Sequence, residues 1–413
     1  MSAERLPGPG LHALGAPPSA ASVAPVPVLW RPRQIWIDRQ VLHSPVTANI
    51  LRALPDVPTE VIDGPPPAPE ARSQAALMTT AKRMLYVTAQ RGSYIRACPG
   101  ASSHNVAAQL CCGYKIVDLV YNCNFDCTYC YLQHYINAPY LTVYANIDKL
   151  FDELGSFARA YPTQLLRLGS GEFSDSLSLD PLTGFAGLLV PFLRQFPNVL
   201  FEFKTKSDLV DGLLACDPQG RVLVSWSLSP EPVVQREEHK TASLAARLRA
   251  AQRCRAAGYK IGLHFDPLLH YPGWEADYEP FVAQVFEALP PADVAYMSLG
   301  SLRFAPALKE VVRARFPKSR LMYAELFPGA DNKLRYFKPL RTAMYARMHT
   351  WIRRYAPQTT LYLCMESADV WHKAFGHAPT CNTAMEQHIQ QAEWGEAQLV
   401  PLERLTLPPR ATH

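Results

Sequence analysis

The feature that most constrains this chain is a group of three cysteines that directly follows an apolar segment. Cys123, Cys127 and Cys130 lie four and three residues apart, after the run KIVDLVY at 115–121. Such a run predicts a buried strand, which places the three thiols on a loop at its carboxyl end. Thiolates are the usual ligands of iron–sulfur clusters. Three close cysteines therefore predict a 4Fe–4S cluster whose fourth iron is open to another ligand.

Two other kinds of cysteine site compete with this interpretation. A structural zinc site normally has four ligands, commonly arranged as two well-separated pairs, and this loop supplies three. A disulfide needs an oxidising compartment, of which the sequence gives no sign. Zinc coordination and cysteines without any metal are the alternatives to the cluster.

Composition describes a chain with an ordinary hydrophobic core. The 413 residues are 48% hydrophobic and 19% charged, enough for one large α/β domain with attachments or for two domains. No apolar run approaches the roughly 20 residues that cross a bilayer. The first residues lack the basic-then-apolar order of a secretory signal. The sequence therefore predicts a cytoplasmic protein with reduced cysteines and no membrane partner.

The order of apolar and amphipathic segments predicts a parallel sheet. From residue 115 onward, strand-like runs alternate with segments of helical period, which implies right-handed crossovers between parallel strands. A closed barrel would need eight strands, and six are predicted here. The predicted strands are 115–121, 164–169, 199–205, 222–228, 260–266 and 294–300, and the helices between them are 145–159, 181–195, 207–215, 241–257 and 276–288.

Four segments are predicted along the chain. Residues 1–30 are rich in Pro, Ala and Gly and are expected to be a disordered tail. Residues 31–114 contain small N-terminal strands and the lead-in to the cluster loop, 115–301 form the alternating α/β region, and 302–413 form a basic α/β C-terminal extension. The extension is predicted to contain helices at 305–316, 340–355 and 366–375 and strands at 320–326 and 360–364.

The C-terminal extension carries most of the positive charge. Residues 302–355 contain 13 Lys and Arg against three acidic residues, a net charge of +10 where the whole chain has +5. One interpretation is a solvated surface. Because aromatic residues lie among the charges, as in KLRYFK at 333–338, the second interpretation is a surface for phosphates and stacked bases.

The cysteine spacing resembles the signature of radical S-adenosylmethionine (SAM) enzymes. More narrowly, CTYCYLQ at 127–133 resembles the spore photoproduct lyase family, in which a tyrosine stands on each side of the last cluster cysteine. The resemblance extends over about residues 30–375 and implies an open (β/α)6 partial TIM barrel. It also implies a 4Fe–4S cluster on the three cysteines, with SAM chelated by the open iron. An electron from a donor such as flavodoxin or ferredoxin would cleave SAM to methionine and a 5′-deoxyadenosyl radical.

The same resemblance assigns SAM contacts at the ends of the predicted strands. Ser174, Lys206 and Ser227 follow the second, third and fourth strands, and Lys206 corresponds to the partner of the SAM carboxylate. The competing interpretation is that the lysine is merely solvated and the serines cap helices. Asp266, at the end of the fifth strand, either binds ribose hydroxyls or caps the next helix.

Glu172 marks a departure from the family. The lyases carry a cysteine beyond the second strand that returns a hydrogen atom to the thymine radical, and the alignment places Glu172 there. An S–H bond is weak enough to quench a carbon radical, whereas an O–H bond of a carboxyl group is not. The segment GSGE at 169–172 resembles the Gly-Gly-Glu of other radical SAM enzymes, whose glutamate accepts a hydrogen bond from the SAM ammonium. The sequence therefore predicts radical formation without the family's usual repair step.

Further roles are expected for tyrosines beside the radical and for the basic extension. Tyr129 and Tyr131 are expected either to relay hydrogen or to wall the pocket. If the substrate is DNA, its target bases would be turned out of the stack. The residues predicted to bind substrate are Arg335 and Tyr336, which resemble an Arg-Tyr pair of the family, and Lys338 and Arg341.

Three functions are open at this point. The first is a radical SAM enzyme that acts on DNA or a nucleotide in the manner of spore photoproduct lyase. The second keeps this chemistry with a protein or small-molecule substrate, and the third is a non-catalytic iron–sulfur module that binds nucleic acid. Cys98, Cys111 and Cys112 either pack in the core or have a role near the cluster, and Cys364 and Cys381 have no assigned role.

Overall fold

The computed structural model describes residues 30–67, 69–98, 109–135, 140–329 and 331–394. Apart from Trp30, the predicted tail at 1–30 lies outside these residues. Along the chain the strands are β1 (Gln34–Asp38), β2 (Thr59–Ile62), β3 (Met84–Thr88), β4 (Ile95–Ala97), β5 (Lys115–Val117), β6 (Val120–Tyr121), β7 (Asp126–Cys127), β8 (Leu141–Tyr144), β9 (Leu166–Gly169), β10 (Val199–Thr205), β11 (Val222–Ser227), β12 (Glu238–His239), β13 (Lys260–Leu268), β14 (Val294–Ser301), β15 (Arg303–Phe304), β16 (Leu326–Pro328), β17 (Leu334–Tyr336) and β18 (Thr360–Leu363).

Helices connect most of these strands. They are α1 (Pro45–Ala53), α2 (Gln74–Ala81), α3 (Leu132–Tyr135), α4 (Ile147–Ala160), α5 (Asp180–Thr183), α6 (Phe185–Leu193), α7 (Asp211–Leu214), α8 (Glu231–Glu237), α9 (Leu244–Ala256), α10 (Trp274–Ala288), α11 (Leu308–Arg315), α12 (Lys338–Tyr355), α13 (Ala368–Phe375) and α14 (Asn382–Trp394). Within the described residues, no helix combines the length and the apolar character needed to span a bilayer.

The main sheet has the strand order β18-β14-β13-β11-β10-β9-β5-β4. Its pairs are parallel except for β4, which runs antiparallel to β5. Every residue of β11 is buried, as expected when a parallel sheet is covered on both faces. The predicted open partial TIM barrel is confirmed. Strands β4 and β18 extend it beyond the six predicted strands.

The predicted strand 115–121 is wrong in one respect, because it forms two strands in two different sheets. Residues 115–117 pair with β9 in the main sheet, and 120–121 pair with β8 in a second sheet of order β2-β1-β3-β8-β6. The break occurs at Asp118, whose N–H donates to the Tyr94 carbonyl at 2.9 Å and whose buried carboxylate pairs with Arg96. The cluster loop therefore begins where the two sheets meet.

The C-terminal extension also differs from the prediction. The predicted strand 320–326 is instead a 3-10 turn at Leu321–Tyr323 followed by β16, which joins β15 and β17 in a small antiparallel sheet. Strand β18 lies in the main sheet, parallel to β14. Helix α14 was not predicted, and it packs against β14 and β18. The division of the chain into four segments stays a prediction.

Candidate active site

A cavity of about 330 Å³ lies at the carboxyl ends of the main-sheet strands. The cluster loop forms one wall, and the ends of β9, β10, β11 and β13 form the other. It brings together all ten residues that were predicted to hold the cluster, to bind SAM or to stand beside the radical. These are Cys123, Cys127, Cys130, Tyr129, Tyr131, Glu172, Ser174, Lys206, Ser227 and Asp266.

Asp126 holds the cluster loop from its outer side. Its carboxylate pairs with Arg315 at 2.7 Å, with Lys82 at 3.3 Å and with Lys240 at 3.4 Å. Burial disfavours ionisation of this carboxyl group, but Lys82 and Arg315 hold its pKa at about 2. From the inner side, the side-chain amide of Gln133 donates to the carbonyl of Cys127 at 3.2 Å. The loop is therefore fixed independently of any bound metal.

Burial disfavours ionisation of two of the three thiols of this loop. Burial raises the pKa of Cys123 to about 12 and that of Cys127 well above its usual value. Because iron binds thiolates, cluster binding must displace these protons. Among the described side chains, no three His, Cys, Asp or Glu residues stand close enough to bind one metal ion. Thiolates that bind separate irons of a cubane need not converge in this way.

Tyr129 is anchored to a buried ion pair. Its hydroxyl donates to Glu238 Oε1 at 2.5 Å, and Glu238 pairs with Arg247 at 2.6 Å with both side chains fully buried. Burial disfavours ionisation of Glu238, yet Arg247 and Lys206 hold its pKa at about 2. The pKa of the Tyr129 phenol is raised by burial and then by the charge of Glu238. The ring is therefore held beside the cluster loop by a permanent carboxylate.

Tyr131 is held by Glu172. The phenol oxygen lies 3.0 Å from Glu172 Oε1 and 2.9 Å from the Glu172 carbonyl oxygen. Burial and then Glu172 raise the pKa of this phenol. A Cβ atom on Gly171 would lie 2.5 Å from the Cβ of Lys204, so only glycine lets this segment approach β10 so closely. Glycine at this position therefore helps to bring the Glu172 carboxylate into the cavity.

Asp175 fixes the two segments that carry Ser174 and Lys206. Its Oδ2 accepts the N–H of Lys206 at 2.6 Å, and its Oδ1 accepts the Thr205 hydroxyl at 2.7 Å and the N–H groups of Leu177 and Ser178 at 3.0 and 2.8 Å. The Ser174 hydroxyl oxygen is buried and has no hydrogen-bond partner among the described residues. A buried hydroxyl without a partner is costly. A polar ligand in the cavity would satisfy it.

Comparison with known proteins decides the family. The family model of spore photoproduct lyase matches residues 108–362. This chain belongs to the spore photoproduct lyase family. The family's 4Fe–4S cluster and SAM are the cofactors of the site. The residues of the cavity fit these cofactors: they include three thiols, the unsatisfied Ser174 hydroxyl and the opposite charges of Lys206 and Glu172.

Curated relatives and solved structures agree with this assignment. The spore photoproduct lyase of Geobacillus sp. (strain Y412MC61) is 29% identical over 208 residues, which span 50% of this chain and 61% of that protein. The spore photoproduct lyase of Clostridium acetobutylicum is 23% identical over 297 residues, spanning 70% and 84%. A solved spore photoproduct lyase variant with bound AdoMet and dinucleoside spore photoproduct has a TM-score of 0.71 at 23% identity and covers 81% of this chain and 98% of its own. This likeness confirms the fold.

Asp266 does not cap a helix in this family member. It lies within β13 and pairs with Arg303 at 3.0 Å, while the next helix, α10, begins at Trp274 with Gly273 at its N-cap. Burial disfavours ionisation of Asp266, but Arg303 and Lys204 lower its pKa. The capping interpretation was wrong. Contact with the SAM ribose stays a prediction.

The predicted substrate residues lie outside the cavity. Arg335 is buried and pairs with Asp331 at 2.5 Å, and the buried Tyr336 hydroxyl accepts the N–H of His270 at 3.0 Å. Two more cations are also paired, Lys338 with Asp369 at 2.5 Å and Arg341 with Glu366 at 2.9 Å. Ion pairing therefore occupies the three cations that were predicted to contact phosphate, and substrate binding by all four residues stays a prediction.

The positive charge of the extension is largely neutralised by acidic residues, most of which are distant in sequence. Of the 13 Lys and Arg residues at 302–355, nine form ion pairs. They are Arg303, Arg313, Arg315, Lys333, Arg335, Lys338, Arg341, Arg347 and Arg354. The surface available to a phosphate backbone is therefore smaller than the sequence predicts.

The cavity contains residues to which the sequence gave no firm role. Cys98 follows β4 and lines the cavity beside Tyr131 and Glu172. Its backbone N–H donates to the Tyr114 carbonyl at 3.2 Å, which continues the pairing of β4 with β5. The sequence offered packing or a role near the cluster for this thiol, and the structure places it in the cavity. Lys204 and Arg303, which the sequence did not single out, also line it, as does Lys333 of the basic KLRYFK segment.

Proposed function

We propose that this chain is a radical SAM enzyme that acts on a thymine photoproduct in DNA, the substrate class named for its relatives. The observation that carries the proposal is the convergence of the three cysteines, both tyrosines and the predicted SAM residues on one cavity. When bound, the cluster and SAM supply a 5′-deoxyadenosyl radical. An external one-electron donor such as flavodoxin or ferredoxin supplies the electron that this cleavage of SAM requires.

The charges of the cavity match the two ends of the methionyl group of SAM. The Lys206 ammonium pairs with a carboxylate, and the Glu172 carboxylate accepts a hydrogen bond from an ammonium group. Ser174 and Ser227 supply hydroxyls beside them. The buried Tyr129 and the half-buried Tyr131 wall the cavity on the side of the cluster loop, and a wall that limits access of water protects a reactive radical from side reactions.

Cys98 takes the role of hydrogen donor, because this chain carries Glu172 at the position of the family's donor cysteine. The phenols of Tyr129 and Tyr131 both have carboxylate acceptors, whereas Cys98 is a thiol of the cavity outside the cluster motif. In this step a hydrogen atom passes from the Cys98 sulfur to the thymine radical. This hydrogen atom replaces the one that the photoproduct would lose to the 5′-deoxyadenosyl group before the bond between its two thymines breaks. The sulfur radical would regain a hydrogen atom from the 5′-deoxyadenosine formed in that way.

The test uses anaerobically reconstituted enzyme, reductant and a dinucleotide photoproduct in D2O. The wild type is expected to form thymine that carries deuterium from the exchanged thiol. Cys98→Ala should form 5′-deoxyadenosine with little thymine, because the substrate radical then lacks its donor. Cys254→Ala, which removes a fully buried thiol from α9, is the matched control and should behave as the wild type.

Each part of the proposal has its own contradicting result. Absence of 5′-deoxyadenosine from the wild type would overturn the radical SAM assignment. Formation of 5′-deoxyadenosine without thymine in both proteins would overturn the substrate class. Equal deuterated thymine from wild type and Cys98→Ala would overturn the role of Cys98 alone.

A further inference from the structure

A few cations of the basic extension have no acidic partner. Among the described residues, Lys309, Lys318, Arg320 and Arg353 form no ion pair, and Arg353 donates instead to the carbonyls of Ala356 and Thr359. Lys318 and Arg320 are both exposed. Both line a second cavity, of about 1150 Å³, which we name the outer groove.

The outer groove combines positive charge with aromatic faces. The exposed Arg236 lies over the Tyr271 ring at 4.8 Å. The Tyr323 ring is 63% exposed and lies beneath the Arg313 guanidinium at 4.8 Å. A basic groove with aromatic rings is the arrangement that binds a nucleic-acid strand, through phosphates and stacked bases.

Two acidic residues also line the outer groove. Glu325 is exposed, but Glu237 is buried. The Glu237 carboxylate accepts hydrogen bonds from the hydroxyls of Thr128 at 2.5 Å and Ser319 at 2.8 Å. The solvent-facing rim therefore carries the cations Arg236, Lys318 and Arg320 against one exposed carboxylate, and its net charge is positive.

Helix α11 connects the outer groove with the active-site cavity. Leu308, at its first residue, lines the active-site cavity, and Arg315, at its last, lines the outer groove. Eight residues of helix span about 12 Å. Phosphates along one strand of a duplex are about 3.4 Å apart along the axis. The outer groove therefore lies about three to four nucleotides from a lesion held in the cavity.

We propose that the outer groove binds the DNA strand that flanks the damaged nucleotides. Lys318, Arg320 and Arg236 contact its phosphates, and the Tyr323 ring stacks on a base. The inference rests on the proposed function, which it extends from the lesion to the neighbouring strand. An acidic redox protein would also be attracted to this charge, but the exposed aromatic ring favours a nucleic-acid strand, because every base offers a face to stack on.

The test measures binding of a fluorescein-labelled 12-nucleotide oligothymidylate to the reconstituted enzyme by anisotropy over a range of salt concentrations. Each phosphate contact to a single strand contributes about 0.7 to the slope of log affinity against log salt. The double variant Lys318→Ala/Arg320→Ala should therefore lose about 1.4 from this slope. Arg83→Ala/Arg249→Ala removes the same charge from exposed sites elsewhere and should keep the wild-type slope.

Tyr323→Ala tests the stacking contact separately. It should weaken oligothymidylate binding by about fivefold or more, because a stacked base contributes about 1–3 kcal/mol by alanine substitution, and it should leave the salt slope unchanged. In turnover, the Lys318→Ala/Arg320→Ala variant should raise KM for a 12-nucleotide substrate more than KM for the dinucleotide, since only the longer strand reaches the outer groove.

An unchanged salt slope in Lys318→Ala/Arg320→Ala, or an equal loss in the control pair, would overturn the inference. The inference would also be overturned if Lys318→Ala/Arg320→Ala weakened the binding of reduced flavodoxin but not that of the oligonucleotide. The outer groove would then be a site for an acidic protein. Binding is measured without turnover. A wild type that binds through the groove but forms no 5′-deoxyadenosine would therefore contradict the proposed function and leave the groove assignment intact.

Discussion

Replacing Asp175 by Asn should weaken SAM binding, although Asp175 is not itself predicted to contact SAM. In Asp175→Asn the side chain keeps its shape, and Oδ1 still accepts from Thr205, Leu177 and Ser178. At the other position an NH2 group replaces the oxygen that accepts the Lys206 N–H at 2.6 Å. Two donors then face each other, so the backbone of Lys206 must move away.

The size of this effect follows from the bond that is lost. A hydrogen bond to a charged group contributes about 1.5–3 kcal/mol, and the Lys206 N–H is left without its acceptor in a partly buried position. The free energy of unfolding should therefore fall by about 1.5–3 kcal/mol. Displacement of Lys206 also loosens its contact with the SAM carboxylate, and a loss of about 1.4 kcal/mol there is a tenfold rise in the Kd of SAM.

The assay combines urea unfolding with isothermal titration of SAM into cluster-loaded protein. Asp180→Asn is a matched control, because Asp180 is also a buried carboxylate and its Oδ1 accepts the N–H of Ala186 at 2.8 Å, away from the cavity. In Asp180→Asn the amide oxygen still accepts this N–H, so SAM binding should be unchanged in the control. An unchanged Kd in Asp175→Asn, despite the expected loss of stability, would refute the coupling of Asp175 to the SAM site.

Three further predictions concern the cluster, SAM and the buried carboxyl group of Glu386 on α14. Replacing any one of the three cluster cysteines by Ala should abolish the brown chromophore and the bound iron, whereas Cys254→Ala should keep both. Lys206→Ala removes a charge-assisted contact and should raise the Kd of SAM about tenfold to a hundredfold at normal iron content; an unchanged Kd would mean that Lys206 is misassigned. Burial raises the pKa of Glu386 to about 7, above its usual 4.5. The contribution of the protonated Glu386 to the free energy of unfolding is therefore fully present below about pH 4.5, and it is lost as the pH rises through about 7. Glu386→Gln should flatten the pH profile of unfolding and gain about 3 kcal/mol at about pH 8; an unaltered profile would contradict the assignment.

The barrel could be predicted because its strands are buried on both faces. Mostly apolar runs such as 199–203 and 222–226 are visible without knowledge of any partner, and the residues at their ends follow from the parallel order. The break at Asp118 was missed, because it depends on a buried pair with Arg96, 22 residues earlier in the chain. Within the site, the spacing of the three cysteines was sufficient to predict the cluster. The placement of Cys98 depends on the pairing of β4 with β5, a short edge pair that leaves little local signal.

The ion pairs of the basic extension could not be predicted from the sequence, because ion pairing is a property of the folded chain. Arg335, Lys338 and Arg341 are indistinguishable in sequence from Lys318 and Arg320. Only the folded structure shows that the first three have carboxylate partners. A basic segment in sequence therefore gives the number of cations, and the fold decides which of them remain available.

The position of β18 has a consequence for how the chain is synthesised. Its residues Thr360–Leu363 complete the main sheet against β14, whose own last residue is Ser301. A ribosome adds about 5–20 residues per second, so the roughly 60 residues between them take about 3–12 s. During that time β14 presents an open, apolar edge, and such edges pair with other chains. We therefore expect the nascent protein to depend on chaperones at this stage, and a fragment that ends at Ser301 to aggregate because its edge is never covered.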